Sequence, residues 1–274
     1  MIKQPIGIFD SGYGGLTILK DMVETLPQYD YLYLGDNARA PYGTKDFQTV
    51  YEYTLQSVKW FFDQGCSLVI LACNTASAKA LRTIQQNDLP NIDINKRVLG
   101  VIRPTSEIIG TFSKTKHIGV LGTSGTVQSN SYVIEIAKFF PDIKVTQEAS
   151  PEWVALVETN QCESPEADHY VQMHISQLLK KDSEIDTILL GCTHYPLLIN
   201  TIQQYTPTNI SIISQGKIIA NSLQEYLNRH PQIEYNCSKN GSRDFFTTGD
   251  PVDFNNHASL FYGEQIAANQ VVLP

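Results

Sequence analysis

Two stretches of this chain run in the same way into a cysteine: Leu68-Val-Ile-Leu-Ala-Cys-Asn-Thr75 and Thr187-Ile-Leu-Leu-Gly-Cys-Thr-His194. A second pair, Ile6-Gly-Ile-Phe-Asp-Ser-Gly12 and Ile118-Gly-Val-Leu-Gly-Thr-Ser124, repeats in the same order. Two kinds of strand recurring in one order imply two similar halves. Short β-rich runs at residues 6–9, 31–34, 68–72, 98–102, 117–121, 144–148, 187–190 and 210–213 alternate with helix-period segments at 47–64, 77–86, 131–140 and 167–180. That alternation implies an α/β fold with mainly parallel sheets. The expectation is two pseudo-symmetric α/β domains with the active site in the cleft between them. Residues 1–98 plus 207–274 would form the first, discontinuous domain and 99–206 the second.

Each repeated cysteine follows a strand-like run and precedes a helix-like one, at the carboxyl end of a parallel strand where open α/β sheets place their ligands. Helix N-termini present free N–H groups and the positive dipole end, and Thr75, Ser77 and Thr193 are candidate caps, so a depressed thiol pKa is expected. A lone buried cysteine is ordinarily an inert packing residue. Two in matching places of a repeat are harder to attribute to packing. Inverting a Cα centre needs a proton removed from one face and another delivered to the opposite face. Cys73 and Cys192 on opposed walls would do both jobs, one as thiolate base and one as thiol acid. No Schiff-base lysine is needed and no pyridoxal-phosphate signature is present, so no cofactor is expected. The cysteines, at 66, 73, 162, 192 and 237, are odd in number and lack a Cys-x-x-Cys pair. Free thiols are therefore expected, with neither a disulfide framework nor a metal site.

Other residues are ambiguous from sequence alone. Asp10, in Asp10-Ser-Gly-Tyr-Gly-Gly15, is a candidate proton partner for the substrate ammonium or for Cys73, and equally a capping aspartate in a tight turn. The glycine spacing there is not a dinucleotide-binding fingerprint. His194 could orient or protonate the nearby Cys192, although a histidine beside Tyr195-Pro196 is more often structural. Glu158 could hold that histidine or lie on a solvated helix face. The segment Gly122-Thr-Ser-Gly-Thr126 offers hydroxyls and N–H groups to a carboxylate. A formal net charge of -8 and the lack of a Lys/Arg cluster argue against a nucleic-acid partner. No apolar run is long enough for a membrane and no signal-peptide core is present, so a cytoplasmic location is expected.

Along almost its whole length the chain resembles the glutamate racemase family, within the wider aspartate/glutamate racemase superfamily. The resemblance rests on Phe9-Asp-Ser-Gly-Tyr-Gly-Gly-Leu16, Gly35-Asp-Asn-Ala-Arg-Ala-Pro-Tyr-Gly43, Ala72-Cys-Asn-Thr-Ala-Ser77, Gly119-Val-Leu-Gly-Thr123 and Leu190-Gly-Cys-Thr-His-Tyr-Pro196. It implies cofactor-free interconversion of L- and D-glutamate, supplying the D-isomer for peptidoglycan, with Cys73 and Cys192 as the two bases. By the same matching, Asp10 and His194 assist the thiols and Glu158 supports the histidine. Substrate contacts would come from Asp10, Ser11, Pro41, Tyr42, Gly43, Asn74, Thr75, Thr123, Thr126 and Thr193. The partner is a small molecule, with room left for a homodimer. The pattern departs at Ile102-Arg-Pro-Thr105, at Ser150, and at Ser214-Gln-Gly216 in place of a common Asp-Ser-Gly. The rival readings are a racemase for another acidic substrate such as aspartate, a cysteine hydrolase built on Cys192, His194 and Glu158, and a binding protein that kept the fold.

Overall fold

A computed structural model describes residues 4–274. Its strands are β1 (Ile6–Asp10), β2 (Tyr31–Gly35), β3 (Leu68–Leu71), β4 (Arg97–Gly100), β5 (His117–Gly122), β6 (Lys144–Ala149), β7 (Thr187–Gly191), β8 (Ser211–Ile213), β9 (Arg243–Thr247) and β10 (Ala268–Gln270). They form one sheet of order β10-β9-β2-β1-β3-β4 and another of order β6-β5-β7-β8. Every pairing is parallel. This is the α/β class that the alternation of runs implied.

The sequence reason is simple. A strand covered on both faces must be apolar throughout rather than alternating, and all residues of β1, β2, β3 and β7 are buried. Each fully buried Leu, Ile or Val there contributes roughly 1.5–3 kcal/mol. One cluster of buried side chains runs through both layers, from Leu16 and Tyr33 to Trp153, Leu190 and Tyr195.

Topology places the site. From β1 the chain passes to β2 on one side and later to β3 on the other, and from β5 it passes to β6 and then β7 in the same way. Each sheet therefore has a switch point, where neighbouring strand ends open a crevice. Register brings specific residues to it: Phe9 faces Leu71 in the first sheet and Gly122 faces Gly191 in the second. Ser11 and Cys73 emerge side by side from one layer, and Thr123 and Cys192 from the other.

Three expectations need adjustment. The run at 98–102 ends as a strand at Gly100, and Ile102 opens the helix Ile102–Ile108 that carries the chain to the second sheet. The helix expected at 77–86 is broken into Asn74–Lys79, Leu81–Thr83 and a π turn Ile84–Asp88. Pro90, which has no N–H to give to the carbonyl of Gln86, bears only on the last of these pieces, at the end of the π turn. Finally, β8 pairs with β7, so the second sheet reaches beyond Thr206. The chain returns with the helix Gly216–Arg229, which packs along Gly15–Thr25.

Candidate active site

Both repeated cysteines line one cavity of about 140 Å³, together with Ser11, Tyr42, Asn74, Thr75, Thr123, Glu158, Thr193 and His194. On the first wall, Cys73 is itself the N-cap of the helix Asn74–Lys79, its Sγ accepting from Ala76 N at 3.4 Å. The thiol reaches Ser11 Oγ at 3.5 Å. Ser77, expected as a cap, instead donates to Leu71 O and accepts from Val101 N. The expected depression of this thiol is not found. Burial, reinforced by the nearby Asp10 charge, pushes Cys73 up to about 12 and outweighs the capping N–H and Ser11. One short helix end does not repay the loss of water around a thiolate.

Asp10 lies behind this wall, buried, with Oδ2 accepting from Gly12 N at 3.0 Å. Its Oδ1 has no hydrogen-bond partner. Burial raises its carboxyl to about 6, against the pull of His194 and the Gly12 and Gly15 N–H groups. Asp10 therefore changes charge close to neutral pH.

On the second wall, Cys192 Sγ lies 4.0 Å from His194 Nδ1, and His194 Nε2 lies 3.0 Å from Glu158 Oε1. Burial favours the neutral imidazole, but hydrogen bonds to Cys192 and Glu158 win and raise His194 to about 10. A cation thus sits between a sulfur and a carboxylate. Gly14 makes room for it, since a Cβ there would overlap Thr193 Oγ1 and His194 Nδ1. Glu158 ends the helix Glu152–Glu158, which also brings Val154 and Ala155 to the cavity.

Hydroxyls and backbone amides complete the lining. Thr75 Oγ1 and Thr123 Oγ1 meet at 2.9 Å across the cleft, with Thr126 Oγ1 at 3.1 Å from Thr123. Thr123 caps the helix Ser124–Gln128. The turn carrying Pro41, Tyr42 and Gly43 is pinned to the second layer by Gly125 N donating to Gly43 O at 2.8 Å. Tyr42 donates to the Asp36 carboxylate, which Arg39 also holds. None of the lining residues is a lysine or arginine.

Of the residues singled out from sequence, Ser11, Pro41, Tyr42, Gly43, Cys73, Asn74, Thr75, Thr123, Glu158, Cys192, Thr193 and His194 share the cavity. Asp10 and Thr126 stand behind the lining and reach it through neighbours. The helix after Cys192 begins without a side-chain cap, so Thr193 is no cap. Ser124, within the hydroxyl-bearing segment read from sequence, also lines the cavity, whereas sequence reasoning missed Thr44, Pro151, Val154 and Ala155 on the lining, and Gln215 and Tyr132 behind Asn74. The departure at Ser214-Gln-Gly216 was the one signal pointing to Gln215. Cys66, Cys162 and Cys237 are free thiols, and no cluster that could hold a metal occurs among the described residues.

A family model described as Asp/Glu/hydantoin racemase matches residues 6–223. A glutamate racemase from Roseobacter denitrificans is 39% identical over 271 residues, covering 95% of this chain and 97% of its own. Among solved structures, a glutamate racemase isoform from Bacillus anthracis superposes with a TM-score of 0.90 at 32% identity, covering 100% of this chain and 99% of its own. A glutamate racemase from Francisella tularensis in complex with D-glutamate superposes with a TM-score of 0.87 at 29% identity, covering 99% and 98%.

Proposed function

The chain belongs to the Asp/Glu/hydantoin racemase family, and on that premise we propose a two-thiol reading of its site, in which Cys73 and Cys192 exchange protons with opposite faces of Cα. The protein is an isomerase that interconverts L- and D-glutamate. One observation carries the assignment of the two thiols: both sulfurs, one from each strand-end repeat, border the same cavity.

With L-glutamate bound, the Cys192 sulfur takes the Cα proton, and the electron pair left on Cα is delocalised into the adjacent carboxylate. Cys73 then delivers its own proton to the opposite face. A thiol raised to about 12 holds its proton until a carbanion forms, as an acid in this step must. His194, raised to about 10, keeps a positive charge beside Cys192, with Glu158 orienting the ring. Asp10, whose carboxyl is raised to about 6, assists on the Cys73 side in a different way: its negative charge helps the thiol hold its proton until the carbanion forms. After one turnover the sulfurs have exchanged protonation states and are set for the reverse direction.

Substrate carboxylates are received by Ser11, Asn74, Thr75, Thr123, Thr193 and backbone N–H groups, with Tyr42 and Gly43 closing one side and Thr126 bracing Thr123. No cofactor is required in this scheme. We further place the protein in the cytoplasm, supplying D-glutamate for peptidoglycan, and allow it a homodimeric assembly. No helix among the described residues is long and apolar enough to cross a membrane. We divide the molecule into two units, one per sheet, with the crossings after Gly100 and after Ile213.

Incubation of the purified protein with L-glutamate in D2O, without additives, is the test. Loss of optical signal accompanied by deuterium at Cα is expected. Dependence on added pyridoxal phosphate or metal would sink the two-thiol reading, and faster turnover of aspartate in a panel of enantiopure amino acids would sink the choice of substrate.

A further inference from the structure

Behind Asn74 lies a closed ring of three buried side chains. Asn74 Nδ2 donates to Gln215 Oε1 at 2.8 Å, Gln215 Nε2 donates to Tyr132 Oη at 2.8 Å, and Tyr132 Oη donates to Asn74 Oδ1 at 2.6 Å. All three residues are at most 3% exposed. Every bond in the ring runs in the same sense, an arrangement in which each bond polarises the next.

The direction of the ring is set from outside it. Gln215 Nε2 also donates to Thr105 Oγ1 at 2.9 Å, and that hydroxyl has already given its proton to Val101 O at 2.9 Å. Thr105 can then only accept, so the amide nitrogen of Gln215 must face it. Gln215 consequently shows its oxygen to Asn74, Asn74 must answer with Nδ2, and its Oδ1 is left to Tyr132. Among the described residues, the second N–H of Asn74 Nδ2 has no protein acceptor, and Asn74 borders the cavity. An unbraced amide could turn over and offer an oxygen at that place, which repels a carboxylate.

The members come from four parts of the fold. Asn74 follows Cys73, Tyr132 lies on the helix Ser131–Phe139 of the second layer, Thr105 is on the helix of the first crossing, and Gln215 is at the second crossing. Gln215 also stands where the chain departs from the common Asp-Ser-Gly of the resemblance. A serine side chain is too short to span from Asn74 to Thr105.

We propose that Gln215 is a positioning residue for the racemisation: it locks the Asn74 amide so that a donor, not an acceptor, faces the substrate carboxylate, and it fastens that donor to both crossings between the layers. The proposal rests on the reading of Asn74 as a substrate contact.

The experiment compares Gln215→Met, which keeps the shape and removes the amide, with Gln215→Glu, Asn74→Ala and the Gln215→Met/Asn74→Ala pair. Each is assayed for KM and kcat in both directions and for D-glutamate affinity by calorimetry. Gln215→Met is expected to raise KM and the D-glutamate Kd about tenfold, the scale of one lost hydrogen bond, with kcat changed far less. In the Asn74→Ala background the same substitution should have no further effect on affinity, because its effect passes through Asn74. Gln215→Glu should bind poorly at pH 8 and recover as pH falls, since the introduced carboxyl can donate to Tyr132 only when protonated. Equal losses of affinity with and without Asn74, or a lowered Tm with affinity intact, would overturn the proposal. If the unaltered protein racemises no glutamate, the functional reading fails first and takes the proposal with it. An active unaltered protein with unaffected variants refutes the ring alone.

Discussion

Cys73 caps its own helix, its sulfur accepting from the backbone N–H of Ala76 at 3.4 Å. The group that must move a proton is thus also the group that ends the helix. A thiolate there gains a charge-assisted bond, while burial and Asp10 resist its formation. The sulfur keeps its proton at rest and is stabilised once it has given it up.

The first prediction concerns Asp10 and that thiol. Ionised Asp10 raises Cys73, so Asp10→Asn should shift the pH dependence of Cys73 alkylation to lower pH. Peptide mass spectrometry after iodoacetamide treatment at a series of pH values reads this directly. An unchanged or upward shift would show that Asp10 does not act on the sulfur.

Stability should respond to the same substitution in a defined pH window. The Asp10 carboxyl rises from 3.8 to about 6 on folding, so ionising it in the empty site opposes folding. This cost is absent below pH 3.8, grows through about pH 6, and reaches up to about 3 kcal/mol. Asp10→Asn should therefore raise the Tm of the unliganded protein more at pH 8 than at pH 4, while lowering activity. A Tm gain independent of pH would contradict this.

For His194 the sign is opposite in its use. Its pKa rises from 6.5 to about 10 on folding, so the stabilisation from its charge is fully present below pH 6.5 and is lost as pH rises through about 10. The basic limb of kcat/KM should fall in that region. Glu158→Gln removes one of the two hydrogen-bonded partners that raise His194 and should move the limb to lower pH. A pH-rate profile identical to that of the unaltered protein would remove Glu158 from the site's electrostatics.

Division of labour between the thiols gives the fourth prediction. Cys73→Ser and Cys192→Ser should each lower racemisation by about 10²–10⁴ or more, the worth of a positioned proton-transfer group. The surviving thiol should still drive elimination from a glutamate analogue with a leaving group at the β-carbon. Cys73→Ser is expected to retain it with the L-enantiomer and Cys192→Ser with the D-enantiomer. Cys66→Ser, Cys162→Ser and Cys237→Ser should behave as the unaltered protein. If both catalytic variants chose the same enantiomer, the sulfurs would not serve opposite faces.

Much of the fold could be read from the chain because buried parallel strands leave dense apolar runs, and both cysteine motifs end such runs. The strands at Arg243–Thr247 and Ala268–Gln270 escaped notice. The first begins with Arg-Asp, and the second is a polar edge strand of three residues held only by its neighbour. Local motifs likewise revealed the groups that face the cavity. They did not reveal Gln215, whose partner Asn74 lies 141 positions away, nor the elevated thiol at Cys73. A helix N-terminus is visible in sequence, whereas the depth at which it is buried is a property of the whole fold.

The two sulfurs have unlike neighbours: Ser11 and a buried carboxylate behind one, a histidine cation beside the other. Substrate and product, however, are mirror images with the same free energy in water. Mass balance at equilibrium then forces kcat/KM to be equal in the two directions, whatever the surroundings of each sulfur. Any asymmetry built into the walls can appear only as a matched rise or fall of kcat and KM together. The enantiomer with the higher KM must turn over faster in the same proportion.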